Sequence, residues 1–461
     1  MKFHAGITKT AFAFLFMAVF LSCREKPVPV NASANKTQED ENPYVWEKSQ
    51  GGWVISLKPE YAALPARPWS LYLYYSWNGK DDEKPFELNI LTGDPAVLQD
   101  SSSIGITGET AFDFFPKKTS ELQHGCKETF LAFHSEQWKK LPKYIAITAN
   151  EKPGEDFIIV DIKLEFRSSN SGPLIADPGT MLHYPPSFFR NRSYETFSHN
   201  LYPSLLYLVS DSFAVQSQFL KRLAFFTEKA GFTGRLAEDR EIAGLRDWFA
   251  HDYRSADLAA FYDLARKQNF PLNGSELYLR ELLLDQGVIR DTGNSYTEGE
   301  GALLGFSVES KSRLPVYYVH ESVHGLEFII PQLQEVFLNF FNSLSNYEKV
   351  FIRDALLYRG YNVIKDRQLL ASETAAYLLQ QSPEETDTYF GEYVMPWYTE
   401  YHKDREVDYS ETPYSDTVTV FLKENPGIFG RRSAVLKKEF FRLTGLGAEN
   451  FYDLLPKDRL L

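Results

Sequence analysis

The sequence predicts an α+β protein, with an antiparallel β-sandwich-like domain followed by a mainly α-helical one. Three observations carry this expectation. Residues 50–190 hold short apolar runs of strand length, separated by clusters of Gly, Pro, Asn and Asp. Beyond about residue 190 the apolar positions recur at helical spacing, with capping residues at the starts of the runs. The chain has 461 residues, of which 43% are hydrophobic. That is too long for one ordinary domain and enough for two cores.

The first residues read as a targeting signal rather than as fold. Lys2 and Lys9 form a positive n-region, and "AFAFLFMAVFLS" (11–22) is an apolar run. Its length falls well short of the ~20 residues a bilayer span needs. The run stops at Cys23, and polar, Pro-containing sequence follows. A Cys directly after the h-region and the small Ser22 resembles a bacterial lipoprotein signal. The usual Leu three residues before the Cys is Phe20 here, and Leu21 lies one place late. The resemblance implies a signal peptide over 1–22 and an acyl anchor on Cys23, the first residue of the mature chain. It also implies an exported protein tethered to the bacterial cell envelope, on its periplasmic or outer face. The alternative is an ordinary secretory signal with a Cys nearby, or an uncleaved anchor. Residues 23–49 are polar and poor in aliphatics, as in a flexible tether.

Formal net charge is -13, and loss of the signal would remove two lysines more. So acidic a chain is unsuited to general nucleic-acid binding, which needs a basic surface. With Cys23 lipidated, Cys126 is the one remaining thiol, so the fold is expected to rely on its core and not on an intrachain disulfide. A Cys-based zinc site is excluded for the same reason, leaving His and carboxylate as ligands.

Within 50–190, "GWVISL" (52–57), "WSLYLYYSW" (69–77), "YIAITA" (144–149) and "DFIIVDIKLEF" (156–166) read as strands of a sandwich. Its aromatics suit either the sandwich core or a sugar-binding face, and average burial of Trp and Tyr favours the core. The helical domain is expected over 191–461. "DSFAVQSQFLKRLAFFTEKAGF" starts at a plausible N-cap, Asp211, and ends at Gly231. "SADLAAFYDLARKQN" and "SELYLRELLLDQG" follow. For His251 and Asp252, in "WFAHDYR", a capping or interhelical role is favoured over a polar cluster near a site, because Asp is a helix-end residue.

"GALLGFSVES" (301–310) reads as a strand, and "SRLPVYYVHESVHGLEFIIP" as a helix limited by Pro331. This helix carries His320, Glu321 and His324 in the order H-E-x-x-H. Residues four apart project from one face about one turn apart, so both imidazoles can reach one Zn²⁺ at ~2.0–2.1 Å. Glu321 lies about 100° around the helix and is placed to act as base toward a zinc-activated water. With 9 His and 62 acids in 461 residues, chance yields on the order of 0.02 such patterns per chain. The bland alternative is two satisfied histidines on a buried helix.

A catalytic zinc needs a third protein ligand and an open position. The longer pattern H-E-x-x-H-x-x-G-x-x-H is absent. Downstream, "SNYEKVFIRDALLYRG" carries a capping box at Ser345 and Glu348. "DRQLLASETAAYLLQQSP" is capped by Asp366 and stopped near Pro383. Glu373 lies in its apolar face, 49 residues beyond His324. A carboxylate there is costly unless it ligates or is paired. The competing arrangement pairs Glu373 with Arg353, Arg359 or Arg367, and gives the ligand position to Glu327 or Glu335.

H-E-x-x-H with a Glu on a following helix resembles the gluzincin class of zinc metallopeptidases, over about residues 300–381. The resemblance implies a zincin-like domain, with His320, His324 and Glu373 as zinc ligands and Glu321 as general base. The Asn that many members carry before the ligand Glu is Ser372 here. Such enzymes also use a Tyr or His on the oxyanion, for which Tyr361, Tyr377, Tyr401, His402 and Tyr414 are all candidates. The expected function is a zinc-dependent hydrolase cleaving peptide bonds of a peptide or protein, held to a membrane by its lipid. The alternatives are a zinc amidase acting on cell-wall peptides, and a lipid-anchored surface binding protein with a structural or degenerate metal site.

Overall fold

The computed structural model describes residues 42–456, apart from 50–51, 62–67, 80–85, 93–109, 115, 117–128, 136–137, 139, 150–155, 167–171, 230, 404–414 and 448–453. The signal peptide, the lipidation site Cys23, most of the tether, Cys126 and Tyr414 lie outside the described residues. Among the described residues, no helix is long and apolar enough to cross a membrane.

The N-terminal strands are β1 (Tyr44–Ser49), β2 (Gly52–Leu57), β3 (Trp69–Trp77), β4 (Phe86–Leu91), β5 (Thr110–Phe114), β6 (Thr129–His134), β7 (Tyr144–Ala149) and β8 (Phe157–Phe166). They form two antiparallel sheets. One runs β1-β2-β7-β4-β5 and is extended at β5 by the C-terminal strand Leu454–Pro456; the other runs β6-β3-β8. Alternation sets their shared core. Phe157, Ile159 and Ile162 of β8 point inward against Leu71 and Leu73 of β3 and Ile145 and Ile147 of β7, while Ile158 and Val160 face solvent. Trp69, Tyr72 and Tyr75 are buried, in keeping with the core role favoured for these aromatics.

One expectation is corrected here. β1 lies inside the stretch read as tether, and it pairs along its whole length with β2. Tyr44 is 1% exposed and donates its hydroxyl proton to the Pro142 carbonyl at 2.9 Å, and Trp46 packs on the same core. Two aromatics spaced by two anchor a six-residue strand that the polar average of the surrounding segment hides.

The helix-rich remainder of the described chain is built on a five-stranded sheet of order β12-β15-β11-β10-β9, whose edge strand at 174–176 lies inside the stretch expected to belong to the β-rich part. Its strands are β9 (Leu174–Ala176), β10 (Tyr194–His199), β11 (Leu205–Ser210), β12 (Ala250–Arg254) and β15 (Ala302–Ser307); β13 (Ile289–Asp291) and β14 (Tyr296–Glu298) form a separate hairpin. The sheet is mixed, since β9 runs parallel to β10 and β11 parallel to β15, while the edge strand β12 is antiparallel to β15. Only residues 301–310 signalled a strand in this domain. The continuous apolar run of β11 and the polar sequence "AHDYR" of β12 carry no period-2 pattern to be read.

Helices cover both faces. α1 (Pro178–Leu182), α2 (Phe213–Thr227), α3 (Asp239–Ile242), α4 (Ser255–Lys267) and α5 (Gly274–Asp285) precede the H-E-x-x-H helix. Leu206, Leu208 and Leu303 pack against Phe219 and Leu223 of α2, Leu258 of α4 and Leu279 of α5. The opposite face, with Leu205, Tyr207, Leu304 and Phe306, receives α6 (Leu314–Ile329). Behind α6 stand α7 (Pro331–Ser343), α8 (Asn346–Tyr358), α9 (Arg367–Leu379), α10 (Pro383–Tyr389), α11 (Met395–His402), α12 (Ser415–Glu424) and α13 (Ile428–Thr444).

The caps match expectation at α8, where Ser345 and Glu348 form the reciprocal box, and at α9, where Asp366 accepts from the Leu369 amide at 2.9 Å. At α2 the cap is Ser212 rather than Asp211, whose carboxylate instead accepts the Ser212 hydroxyl at 2.8 Å.

Candidate metal centre

α6 is buried nearly all round, as its apolar composition requires. One side meets the sheet. Tyr318 stacks between Tyr207 and Phe306 at ring distances of 5.3 and 4.8 Å. Gly325 allows the close approach, because a Cβ there would lie 2.7 Å from Leu205 Cδ1 and 3.1 Å from Leu304 Cδ2. The other side turns His320 and His324 toward α9, which crosses behind it and presents Glu373.

These three side chains converge. The Nε2 atoms of His320 and His324 are 3.2 Å apart. Glu373 Oε2 lies 3.4 Å from the first, and its Oε1 lies 3.6 Å from the second. Ligands at ~2.0–2.1 Å around a tetrahedral ion stand about 3.3–3.4 Å from one another. The imidazole–imidazole spacing is therefore close to the size that a metal ion sets, and each imidazole has one Glu373 oxygen, a different one for each, at a similar distance. His320, His324 and Glu373 are all buried, and this group could hold a metal ion.

The partners behind the ligands fix which nitrogen faces the centre. His320 Nδ1 donates to Gln380 Oε1 at 2.9 Å, an oxygen that can only accept. His324 Nδ1 donates to Ser372 Oγ at 2.9 Å, and Ser372 passes its own proton on to Glu327. Gln368 holds the other Glu327 oxygen at 2.9 Å. Both Nε2 lone pairs are thus directed at the shared point. Among the described residues Glu373 Oε2 has no hydrogen-bond partner although it is buried, and it lies 3.4 Å from His320 Nε2, a position a ligand oxygen could take.

Electrostatics agree with the geometry. Burial pushes the His324 imidazolium toward neutrality, but Glu373, Glu327, Asp252 and Glu321 outweigh it and lift its pKa to about 10. Burial pushes the Glu373 carboxyl up, and the two imidazoles together with a hydrogen bond from Tyr361 bring it below the usual range. Glu321 goes the other way. Burial first, then the charges of Asp252 and Glu373, hold its carboxyl well above the usual range against the pull of His324. A side-chain hydrogen bond with Asp252 adds to the same upward shift of Glu321. Glu228, at the end of α2, reaches solvent. Even so, desolvation and the charges of Asp252 and Glu373 push it up to about 8.

The competing expectations fall away. Arg353 binds Asp354 at 2.7 Å, Arg367 contacts Asn342, and Arg359 stacks over Trp397 at 4.9 Å, so none of them occupies Glu373. Glu327 lies behind His324, with an oxygen 3.9 Å from Nδ1 rather than beside Nε2, and Glu335 is exposed. Asp252 is corrected as well: it caps no helix but sits in the middle of β12, facing Glu321. Of the oxyanion candidates, Tyr361 bonds Glu373 and has its hydroxyl 3.4 Å from that of Tyr377. Tyr377 packs edge-on against His320 at 4.8 Å. His402 is engaged by Asp354 at 2.9 Å, and Tyr401 packs on His402. Sequence reasoning missed Glu228 and Gln380, and for Asp252 it favoured capping over the polar cluster near a site that the structure shows. Gln380 was within reach, being seven residues beyond Glu373 on the same face of α9. Asp252 and Glu228 arrive from distant elements with no local signal.

No family model matches the chain, and comparison with curated proteins and with solved structures finds no match either.

Proposed function

We propose that the chain is a zinc-dependent hydrolase of gluzincin type that cleaves peptide bonds. The observation that carries this is the convergence of His320 Nε2, His324 Nε2 and the Glu373 carboxylate on one buried group able to hold a metal ion, with Glu321 beside them. Three protein ligands leave the fourth position open, whereas structural zinc sites close it with a fourth side chain. Bound by these residues, zinc would lower the pKa of a water toward about 7 and polarise a carbonyl.

The chain's own residues supply the rest. A divalent ion held beside Glu321 would offset the burial and the acidic neighbours that raise its pKa. The ionised carboxylate would then accept the proton of the attacking water and return it to the leaving amine, with Asp252 orienting the Glu321 carboxyl. Tyr361, which hydrogen-bonds Glu373, is the group that would donate to the developing oxyanion if Glu373 were engaged by a metal. β12 supplies a sheet edge beside Glu321, where an extended peptide can pair antiparallel by main-chain hydrogen bonds. Tethering through a lipid on Cys23 completes the proposal. Intact-mass measurement of membrane-extracted protein tests that part, and a mature chain without an acyl group refutes it.

The central test combines zinc content with turnover of a peptide library, for wild type and Glu321→Gln. Wild type should hold one zinc and cleave. Glu321→Gln should hold the same zinc and lose about 10²–10⁴-fold in rate. Equal turnover by the two proteins would remove Glu321 as the base. Zinc without turnover of any peptide in wild type would favour a surface binding protein with a structural site.

A further inference from the structure

Aromatic rings flank the proposed centre on two sides. On one side Tyr317, one turn ahead of Glu321 on α6, stacks with Phe249 at 6.4 Å, and Phe249 meets Phe213 at 4.9 Å. Phe249 is 48% exposed and the adjacent Trp248 44%. On the other side Tyr377 covers His320 and stacks with Tyr389 at 6.4 Å, and Tyr389 stacks with Tyr393 at 5.2 Å. Tyr389 and Tyr393 border the π-helical turn Phe390–Val394, an irregularity that recurs at functional sites.

The Phe213–Phe249–Tyr317 cluster has two properties that tie it to a ligand. It is continuous with the centre, because Tyr317 and Glu321 are four apart on one helix face. It also leads directly into β12, whose first residue is Ala250, so a chain paired along that edge would run past these rings. Side chains of such a chain point alternately toward and away from the protein. An exposed ring, Phe249, backed by the half-buried rings of Phe213 and Tyr317, offers an apolar surface to a ligand. A charged side chain set against these rings would lose water without gaining a partner, so an acidic residue is disfavoured there.

Resting on the hydrolase reading above, we propose that Phe213, Phe249 and Tyr317 form the specificity pocket of this site, and that it takes a large apolar side chain, such as Phe or Leu, of an extended peptide lying along β12.

The test is a binding measurement, so it does not depend on turnover. The whole chain carrying Glu321→Gln is loaded with zinc and titrated into fluorescein-labelled peptides that differ at one position, Phe, Leu, Ala or Asp. The Phe and Leu peptides should bind about 10–100-fold more tightly than the Ala peptide, with Asp the weakest. Adding Phe249→Ala should reduce the Phe-over-Ala ratio to within about threefold while leaving affinity for the Ala peptide and zinc content as they were. Phe249 is half exposed, so the variant should fold, and a thermal melt checks this. If it does not, Phe213→Leu is used, and it should narrow the same ratio. Equal binding of the Phe and Ala peptides, or a ratio unmoved by Phe249→Ala, overturns the pocket. Preference governed by an attached glycan and indifferent to the side chain overturns it too. Failure of wild type to cleave any peptide strikes the hydrolase reading alone, because the binding ratios stand without it.

Discussion

His320 Nε2 and His324 Nε2 point at each other across 3.2 Å, while their Nδ1 atoms are held from behind by Gln380 and Ser372 of the α9 segment. Two imidazoles brought this close with their lone pairs convergent repel unless something positive lies between them. In the metal-free protein that is a proton. A metal ion could take the same place.

Glu373→Gln should therefore cost the protein its metal. The substitution keeps shape but removes the charge that balances a divalent ion, and leaves an amide in a buried ligand position. The loss in zinc affinity should exceed the ~10–100-fold expected for removing a partner behind a ligand. Competition with a chromogenic chelator measures it. Full zinc occupancy in Glu373→Gln would show that another acid is the third ligand.

Ser372→Ala and Gln380→Ala should each weaken zinc by about 10–100-fold without touching a ligand atom. Ser372→Ala breaks the relay from His324 to Glu327, and Gln380→Ala frees the ring of His320. The same competition titration reads the effect. Wild-type affinity in both variants would mean that packing against Tyr377 and α9 alone fixes the rings.

Metal binding should release a proton. His324 stays protonated up to about 10 in the metal-free protein, with burial opposing and Glu373 leading the effects that raise it. At pH 7 the ion must displace that proton, so affinity should rise roughly tenfold per pH unit until His324 is neutral. Calorimetry in two buffers of different ionisation enthalpy should give about one proton per zinc or more. The sign for stability is the opposite. A raised His pKa stabilises the metal-free fold fully below about 6.5, and that contribution fades as pH rises through about 10. Zinc uptake with no proton release would contradict this.

Acid should destabilise the fold through His251. Its ring is buried, with Nδ1 bonded to the Tyr253 hydroxyl at 2.9 Å, and burial lowers its pKa to about 4. A depressed His pKa means that the unfolded chain binds the proton first. Stability is complete above about 6.5 and falls as pH drops toward 4, by ~3 kcal/mol at the lower end. Urea midpoints at pH 7, 5 and 4 for wild type and His251→Phe check it. The variant should lose less between pH 7 and 4, and parallel losses would exclude His251 as the source.

Much of the α-helical half was legible in the sequence because its signals are local. The Ser345–Glu348 box, the Asp366 cap and the four-residue interval between His320 and His324 each operate within about one turn. The run of apolar residues around Glu373 marked it as an acid in need of a partner. Four of the sandwich strands, β2, β3, β7 and β8, were legible for a similar reason, since alternation and turn residues recur every few positions, while β4, β5 and β6 were not named. β1 was not, because six residues vanish in the average of a polar segment.

What only the tertiary structure decided is which distant groups meet. Glu373 and Glu327 were both chemically able to complete the site. The crossing of α9 behind α6 sets one beside the two Nε2 atoms and the other behind His324. Asp252 reaches Glu321 because β12 pairs with β15 some fifty residues later in the chain, placing an edge strand alongside α6. The sequence by itself determined which residues could ligate and how two of them share a helix face, since helix geometry follows from hydrogen bonds four residues apart. It did not determine the third ligand's rank, the partner of the base or the aromatic walls. Those depend on contacts between elements far apart in the chain, and burial of whole faces, rather than any local spacing, selects them.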